Sequence, residues 1–215
     1  MDLFATPSSS RWEPVDDPAR DRAKIWLRPG FVAPDEATAL FEQLRAAIPW
    51  RRDELTMFGK THPIPRLHQW YGDAPYTWSG IRMQPRAWTP AVDGIRRRVE
   101  TATGRRFNAA LINYYRDGDD SVGWHADDEP ELGPAPFIAS LSLGAERDFV
   151  LRRSSAPRER LSVPLPHGSL LVMVEGVQAA WQHCLPRRKR VRAGRINLTF
   201  RLMPQPPARG STTGC

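Results

Sequence analysis

The sequence predicts an α+β fold in which two helices come first and a β-sandwich or jelly roll follows. Three observations carry that prediction. Two early segments repeat their apolar residues at helical spacing, from Phe107 onward the apolar period changes to two, and the candidate strands are short with turn residues between them. With 215 residues, 40% hydrophobic and 26% charged, the chain suits one globular domain with flexible ends.

Residues Met1 to about Arg22 are polar, hold Pro and Ser, show no periodicity and predict a flexible arm. Ala23 to Leu27 predicts a short strand, and Pro29-Gly30 a turn. Pro34, Asp35 and Glu36 mark a helix start, because proline suits the first turn and acids suit the positive end of the helix dipole. Ala37, Leu40, Phe41, Leu44 and Ile48 continue that helix until Pro49. A second helix starts at Thr89-Pro90, buries Val92, Ile95, Val99 and Ala102, and stops at Gly104. Its Arg96, Arg97 and Arg98 are expected to face solvent. Candidate strands follow at Phe107–Tyr114, Phe137–Leu143, Arg147–Arg153, Arg160–Leu165, Ser169–Val174 and Arg195–Leu202. The stretch from Met57 to Trp88 fits neither period. Its aromatic residues either pack a long connection onto the core or form a lid that stacks flat ligands. Residues 204 to 215 predict a flexible tail.

Composition narrows the function classes. No apolar run is long enough for a membrane helix, and the N-terminal stretch lacks the apolar segment of a secretory signal. Two cysteines, Cys184 and Cys215, imply no disulfide framework and suit a reducing cytosol. The net charge of +7 favours polyanionic partners. Positive charge gathers at Arg187, Arg188, Lys189, Arg190, Arg192, Arg195 and Arg201, and negative charge between Asp117 and Glu131. Either these are solvated loops, or a cation site lies beside a phosphate-binding rim.

The acid-rich stretch contains NYYRDGDDSVGWHADDE, Asn113 to Glu129. In an extended segment His125 and Asp127 point the same way, which offers two ligands of a two-His-one-carboxylate site. The competing reading is a solvated turn. Among the five histidines, His183 in AAWQHCLP is the candidate third ligand, read as lying between two strands, whereas His167 in a turn is read as structural. RINLTFR, Arg195 to Arg201, alternates fully: Arg195, Asn197, Thr199 and Arg201 share one face, and Ile196, Leu198, Phe200 and Leu202 the other. If the polar face is buried, its arginines demand anions, and a dicarboxylate would answer both. The alternative is a wet face whose arginines pair with Asp or Glu. Asn113 and Tyr115 share a face in the same way, with Tyr114 opposite.

Taken together, Asn113/Tyr115, His125/Asp127, His183 and Arg195/Asn197/Arg201 resemble the signature of the AlkB family of Fe(II)/2-oxoglutarate-dependent nucleic-acid dioxygenases. WHADDEP, IASLSLGA and HGSLLVM are similar to its homologue 2 and 3 branch, and the likeness runs from about Phe58 to Leu202. The resemblance implies a double-stranded β-helix, or jelly roll, flanked by N-terminal helices, forming one domain over 23 to 203. Within it a nucleotide-recognition lid would span about 55 to 88 and the catalytic jelly roll about 105 to 203. It implies Fe(II) on His125, Asp127 and His183, with O2 as cosubstrate. It also implies 2-oxoglutarate held by Arg195, Tyr115 and Asn197 at one end and Arg201 and Asn113 at the other, with Thr199 lining the pocket. The implied reaction is oxidative demethylation of N-alkylated bases such as 1-methyladenine and 3-methylcytosine, releasing formaldehyde, succinate and CO2. Alkylated DNA is the expected partner of a monomeric, cytoplasmic enzyme, with methylated RNA, a protein side chain, or non-enzymatic binding as alternatives. On substrate, Phe58 would be an aromatic finger flanked by Gly59 and Lys60. Tyr76, Trp78 and Ser79 would line the base pocket, with Trp78 the stacking platform. Asp128, supported by Glu129, would reach the base edge, and Arg66 with Arg187 to Arg190 would contact phosphates. The metal motif resembles homologue 3, which favours single strands, and the lid resembles homologue 2, which works on duplexes; Phe58 tips the expectation to duplex.

Overall fold

The computed structural model describes residues 11–15, 24–57, 59–78 and 80–204. The tail beyond Pro204, most of the expected arm, and Phe58 and Ser79 lie outside the described residues. Residues 11–15 depart from the flexible-arm expectation. Glu13–Pro14 forms β1 against β2 (Ile25–Arg28), and Trp12 packs on the core.

Helix α1 spans Pro34–Ala47 and α2 spans Pro90–Thr103. Thr89 caps α2 by accepting a hydrogen bond from the Val92 N–H, and Gly104 closes it at φ 66°, where a left-handed residue is needed. The arginine face of α2 is not plain solvent contact. Arg96 pairs with Asp93 and Glu100 and lies over Trp88, and Arg98 reaches Glu36 on α1.

The strands are β3 (Glu54–Met57), β4 (Lys60–Pro63), β5 (Leu67–Gly72), β6 (Tyr76–Trp78), β7 (Ile81–Met83), β8 (Ala109–Tyr115), β9 (Val122–His125), β10 (Ile138–Gly144), β11 (Arg147–Arg153), β12 (Arg160–Leu165), β13 (Ser169–Met173), β14 (Trp181–Leu185) and β15 (Arg195–Arg201). A single turn, α3 (Val177–Ala180), leads into β14. A seven-stranded antiparallel sheet runs β1-β2-β13-β10-β15-β8-β5, and a four-stranded sheet runs β12-β11-β14-β9. Together they form the jelly-roll core. The aromatic stretch is therefore not a loop. It holds two hairpins, β3-β4 and β6-β7, and the edge strand β5 of the large sheet.

The large sheet has two buried faces with different jobs. Ile112, Leu141, Ile196, Leu198 and Phe200 pack with Leu44 of α1 and Ile95 and Val99 of α2. Each such fully buried side chain contributes ~1.5–3 kcal/mol of transfer free energy. The opposite face turns toward the small sheet. Ile138, Leu171 and Met173 meet Leu151, Val163 and Leu165 there at one end, and the polar residues of β8 and β15 are left to line a cavity at the other.

Candidate active site

Strand register assembles the site. In the large sheet Arg195 lies opposite Tyr115 and Asn197 opposite Asn113, while Ser142 and Ser140 of β10 face Asn197 and Thr199 from the other side. All seven residues of β15 are buried, so its polar face is not wet. The face is satisfied laterally only in part: Arg195 Nη2 donates to Ser142 Oγ at 2.9 Å, Asn197 Nδ2 to Ser140 Oγ at 2.7 Å, and Thr199 Oγ1 to Asn197 Oδ1 at 2.8 Å. Tyr114 points away and packs on Trp50 and Phe41, as the alternation requires.

In the small sheet His183 is on strand β14 itself, not between strands, directly opposite His125 at the end of β9. Their rings meet edge-on with centroids 4.3 Å apart. Asp127 follows just beyond β9. One ligand atom from each of His125, Asp127 and His183 comes within 4.8 Å of the others, a group able to hold a metal ion. His125 Nδ1 lies 2.9 Å from the Gly123 carbonyl, which places its proton there and leaves Nε2 with a free lone pair. Phe149 packs on the His183 ring at 5.0 Å.

The electrostatics suit a cation. Burial pushes His183 down to about 3, with His125 adding to the effect, so its imidazole is neutral. Burial also lowers His125, although Asp127 opposes it. Burial alone would raise Asp127, but the Arg201 guanidinium outweighs it and holds the carboxyl at about 2. Arg201 Nη2 donates to Asp127 Oδ1 at 2.8 Å.

A cavity opens beside this cluster, lined by all three candidate ligands and by Asn113, Tyr115, Arg195, Asn197, Thr199 and Arg201. The structure thus brings together every metal and cosubstrate candidate read from the sequence. Inside it Arg195 Nε, Arg201 Nε and Nη1, and His183 Nδ1 are buried with no partner among the described residues. Such orphan donors call for a ligand rich in acceptors.

The substrate candidates divide. Trp78 lines the cavity with its ring edge-on to His125, centroids 6.4 Å apart. Tyr76 is fully buried, stacked on Trp70 and under Arg201, and is not among the residues that line the cavity. Arg66 is a correction. It is 4% exposed, lines the cavity, donates to Asn113 Oδ1 at 2.9 Å and lies over Trp78, which is no surface position for a backbone phosphate. Gly59, Lys60 and Asp128 are exposed. Glu129 is half-buried, and burial, then Asp127, raises its carboxyl. Arg187 to Arg190 are exposed, and Arg188 pairs with Asp148.

Sequence reading missed Ser140 and Ser142, although their period of two along β10 was a usable signal. It also missed Phe149, Gln178 and Arg147. Arg147 is buried and donates to the carbonyls of Asp117, Asp120 and Pro186, binding the connection before β9 to the one after β14. Gln178 accepts from the Asp127 N–H. No local pattern announces either.

A His-Asp-His cluster next to buried arginines on a jelly roll defines an iron and 2-oxo-acid oxygenase, and the chain belongs to the 2OG-Fe(II) oxygenase superfamily, whose family model matches residues 24–201. It is 44% identical over 198 residues to alpha-ketoglutarate-dependent dioxygenase alkB homolog 3 of Mus musculus, covering 88% of this chain and 69% of that one. It is 46% identical over 178 residues to DNA oxidative demethylase ALKBH2 of Homo sapiens, covering 77% of this chain and 68% of that one. These relatives place it on the AlkB homologue 2 and 3 branch. A solved 2OG-Fe(II) oxygenase family protein of Burkholderia pseudomallei shares the fold, at 20% identity with a TM-score of 0.55 and 86% of each chain covered. Membership brings Fe(II), 2-oxoglutarate and O2, and the neutral imidazoles, the ionised carboxylate and the orphan guanidinium nitrogens fit them.

Proposed function

We propose that this protein is a direct-reversal DNA repair enzyme that oxidatively removes alkyl groups from bases such as 1-methyladenine and 3-methylcytosine, converting 2-oxoglutarate and O2 to succinate and CO2 and releasing formaldehyde. The observation that carries this reading is the convergence of the His125, Asp127 and His183 cluster with a partner-short Arg195 in one cavity, in a chain of this family.

His125, Asp127 and His183 hold the Fe(II), with Arg201 fixing the Asp127 carboxylate. Arg195 takes the distal carboxylate of 2-oxoglutarate, helped by Tyr115 and Asn197, while Arg201 and Asn113 hold the end near the metal and Thr199 lines the wall. When bound, the iron and 2-oxoglutarate supply the oxidising power that hydroxylates the N-alkyl carbon. The protein supplies position and a dry wall: the buried β15 face keeps water from the cosubstrate.

The damaged base must leave its stack to reach the site. Trp78 is the stacking platform, worth ~1–3 kcal/mol, and Arg66 braces it from behind. Asp128, exposed next to the metal ligand and backed by Glu129, meets the positive charge of an N-methylated ring. Phe58, with Gly59 and Lys60, acts as the finger that enters a duplex, Ser79 contacts the flipped base, and Arg187 to Arg190 contact phosphates. The absence of a disulfide framework suits a cytosolic enzyme, which acts as a monomer.

Purified protein supplied with Fe(II) and 2-oxoglutarate is expected to release formaldehyde from 1-methyladenine oligonucleotides, faster on duplex DNA than on single strands or matched RNA. His125→Ala is expected to abolish turnover without unfolding the protein. Full turnover by His125→Ala would refute the metal assignment, and faster turnover on RNA would refute the DNA assignment.

A further inference from the structure

We propose that Gln178 is a positioning residue for the metal centre, holding the Asp127 backbone so that the carboxylate stays on the ligand position. This rests on the assignment of His125, Asp127 and His183 as ligands. Asp127 is 2% exposed and lies past the end of β9, where ladder pairing has stopped after an irregular register against β14. Its buried N–H therefore has no strand partner, and an unpaired buried donor is costly.

Gln178, 4% exposed, supplies that partner: its Oε1 accepts from Asp127 N at 3.0 Å. Only the amide oxygen can accept, so this bond fixes which way the side chain is turned. The Nε2 group donates to Met173 Sδ at 3.5 Å, and Met173 itself lines the cavity. Asp127 is thus held twice, by Arg201 at the carboxylate and by Gln178 at the backbone. Gln178 stands on α3, the turn that leads directly into β14 and His183. One short connection therefore sets two ligands of the triad, and a shift in it would move both.

The test uses Co(II) as the metal probe, titrated into metal-free protein by calorimetry, with melting temperatures taken with and without the metal. Gln178→Met keeps the size and removes the acceptor, and Gln178→Glu keeps an oxygen acceptor. The parent is expected to bind Co(II), and His125→Ala to lose it. Gln178→Met is expected to bind roughly 10- to 100-fold more weakly, the usual effect of removing an outer partner of a metal ligand. Its metal-free melting temperature should fall by a few degrees, because the Asp127 N–H loses its partner, and Gln178→Glu should bind close to the parent. Parent-like binding by Gln178→Met, or equal weakening by both variants, overturns the proposal. Should Gln178→Met not fold, Gln178→Glu decides alone, by retaining or losing the affinity. A parent that ignores Co(II), or a His125→Ala that binds it fully, overturns the ligand assignment instead.

Discussion

At the metal end of the cavity, buried Arg201 has a carboxylate partner, Asp127 Oδ1 at 2.8 Å; at the far end, equally buried Arg195 has no carboxylate partner among the described residues, donating to the Ser142 hydroxyl at 2.9 Å and lying over the Tyr115 ring. Asp127 outweighs burial and raises Arg201, whereas burial lowers Arg195 to about 10. Arg66 and Arg147 stand on the Arg195 side of this contrast. Burial lowers both, and among the described residues neither pairs with a carboxylate. A guanidinium in a low-dielectric interior costs several kcal/mol unless an anion answers it. One end of the cavity is therefore charge-paired within the protein, while the other carries a positive charge that no carboxylate among the described residues answers.

The largest effect should come from unbalancing the compensated end. Asp127→Asn leaves Arg201 without its counter-charge and is expected to destabilise the metal-free protein by ~3–5 kcal/mol in chemical denaturation. Arg195→Met, of similar volume, should leave the same measurement unchanged or slightly raised, because it deletes a charge that the metal-free protein does not compensate. Equal losses in the two variants would erase the contrast. In turnover the order reverses for the cosubstrate. Arg195→Met is expected to raise the KM for 2-oxoglutarate by ~30-fold or more, about 2 kcal/mol. Arg195→Lys should recover only part, since an ammonium cannot bind a carboxylate in bidentate fashion.

Smaller effects probe the walls around the two ends. Gly118 N donates to the Val191 carbonyl, its own carbonyl accepts from Arg188 N, and a Cβ at this position would meet the Arg188 oxygen at 1.8 Å. Gly118→Ala should therefore displace the basic stretch, cost ~1–3 kcal/mol, and weaken DNA binding more than 2-oxoglutarate binding. The smallest effect concerns pH. His68 is buried beside Asp53, 3.1 Å from its Oδ2, and burial lowers its pKa from the usual 6.5 despite that neighbour. Unfolded chains take up the proton near 6.5 while the folded protein resists it. Its contribution is thus full above 6.5 and is lost as pH falls from there through the lowered folded value. His68→Gln should flatten the fall of melting temperature with acidification below 6.5; an unchanged profile would show that His68 does not titrate differently on folding.

In the small sheet β11 and β12 lie where the sequence predicts them, whereas β9 and β14, which carry the candidate metal ligands, do not show in its pattern. β15 alternates apolar and polar along its whole length because its two faces meet different environments, helices on one side and the cavity on the other, so its cavity-lining residues are legible in the sequence. β5 is equally part of that sheet but was read as loop. His68, Gln69, Trp70 and Tyr71 are all buried, and a strand buried on both faces loses its period-two signature. β9 and β14 are short, and their pairing shifts register between His183 and Leu185, so His183 was chosen for its motif and not as a strand residue. Arg66 misled for a related reason. An arginine among glycines and prolines suggests a surface cation, and only the closing of Trp78 and Asn113 around it buries the charge. Gln178 and Arg147 act through backbone carbonyls and N–H groups brought together by tertiary structure, which no spacing encodes.

The most direct test of the divided cavity is an anaerobic titration of the Fe(II)-loaded protein with 2-oxoglutarate, read by the charge-transfer absorption that a 2-oxo acid gives when it chelates Fe(II). The parent should develop the band at low 2-oxoglutarate, Arg195→Met only at concentrations ~30-fold higher or more, and His125→Ala at none. A band that forms in Arg195→Met at the parent's concentrations would contradict the assignment of the far end, and one that survives in His125→Ala would contradict the assignment of the metal end.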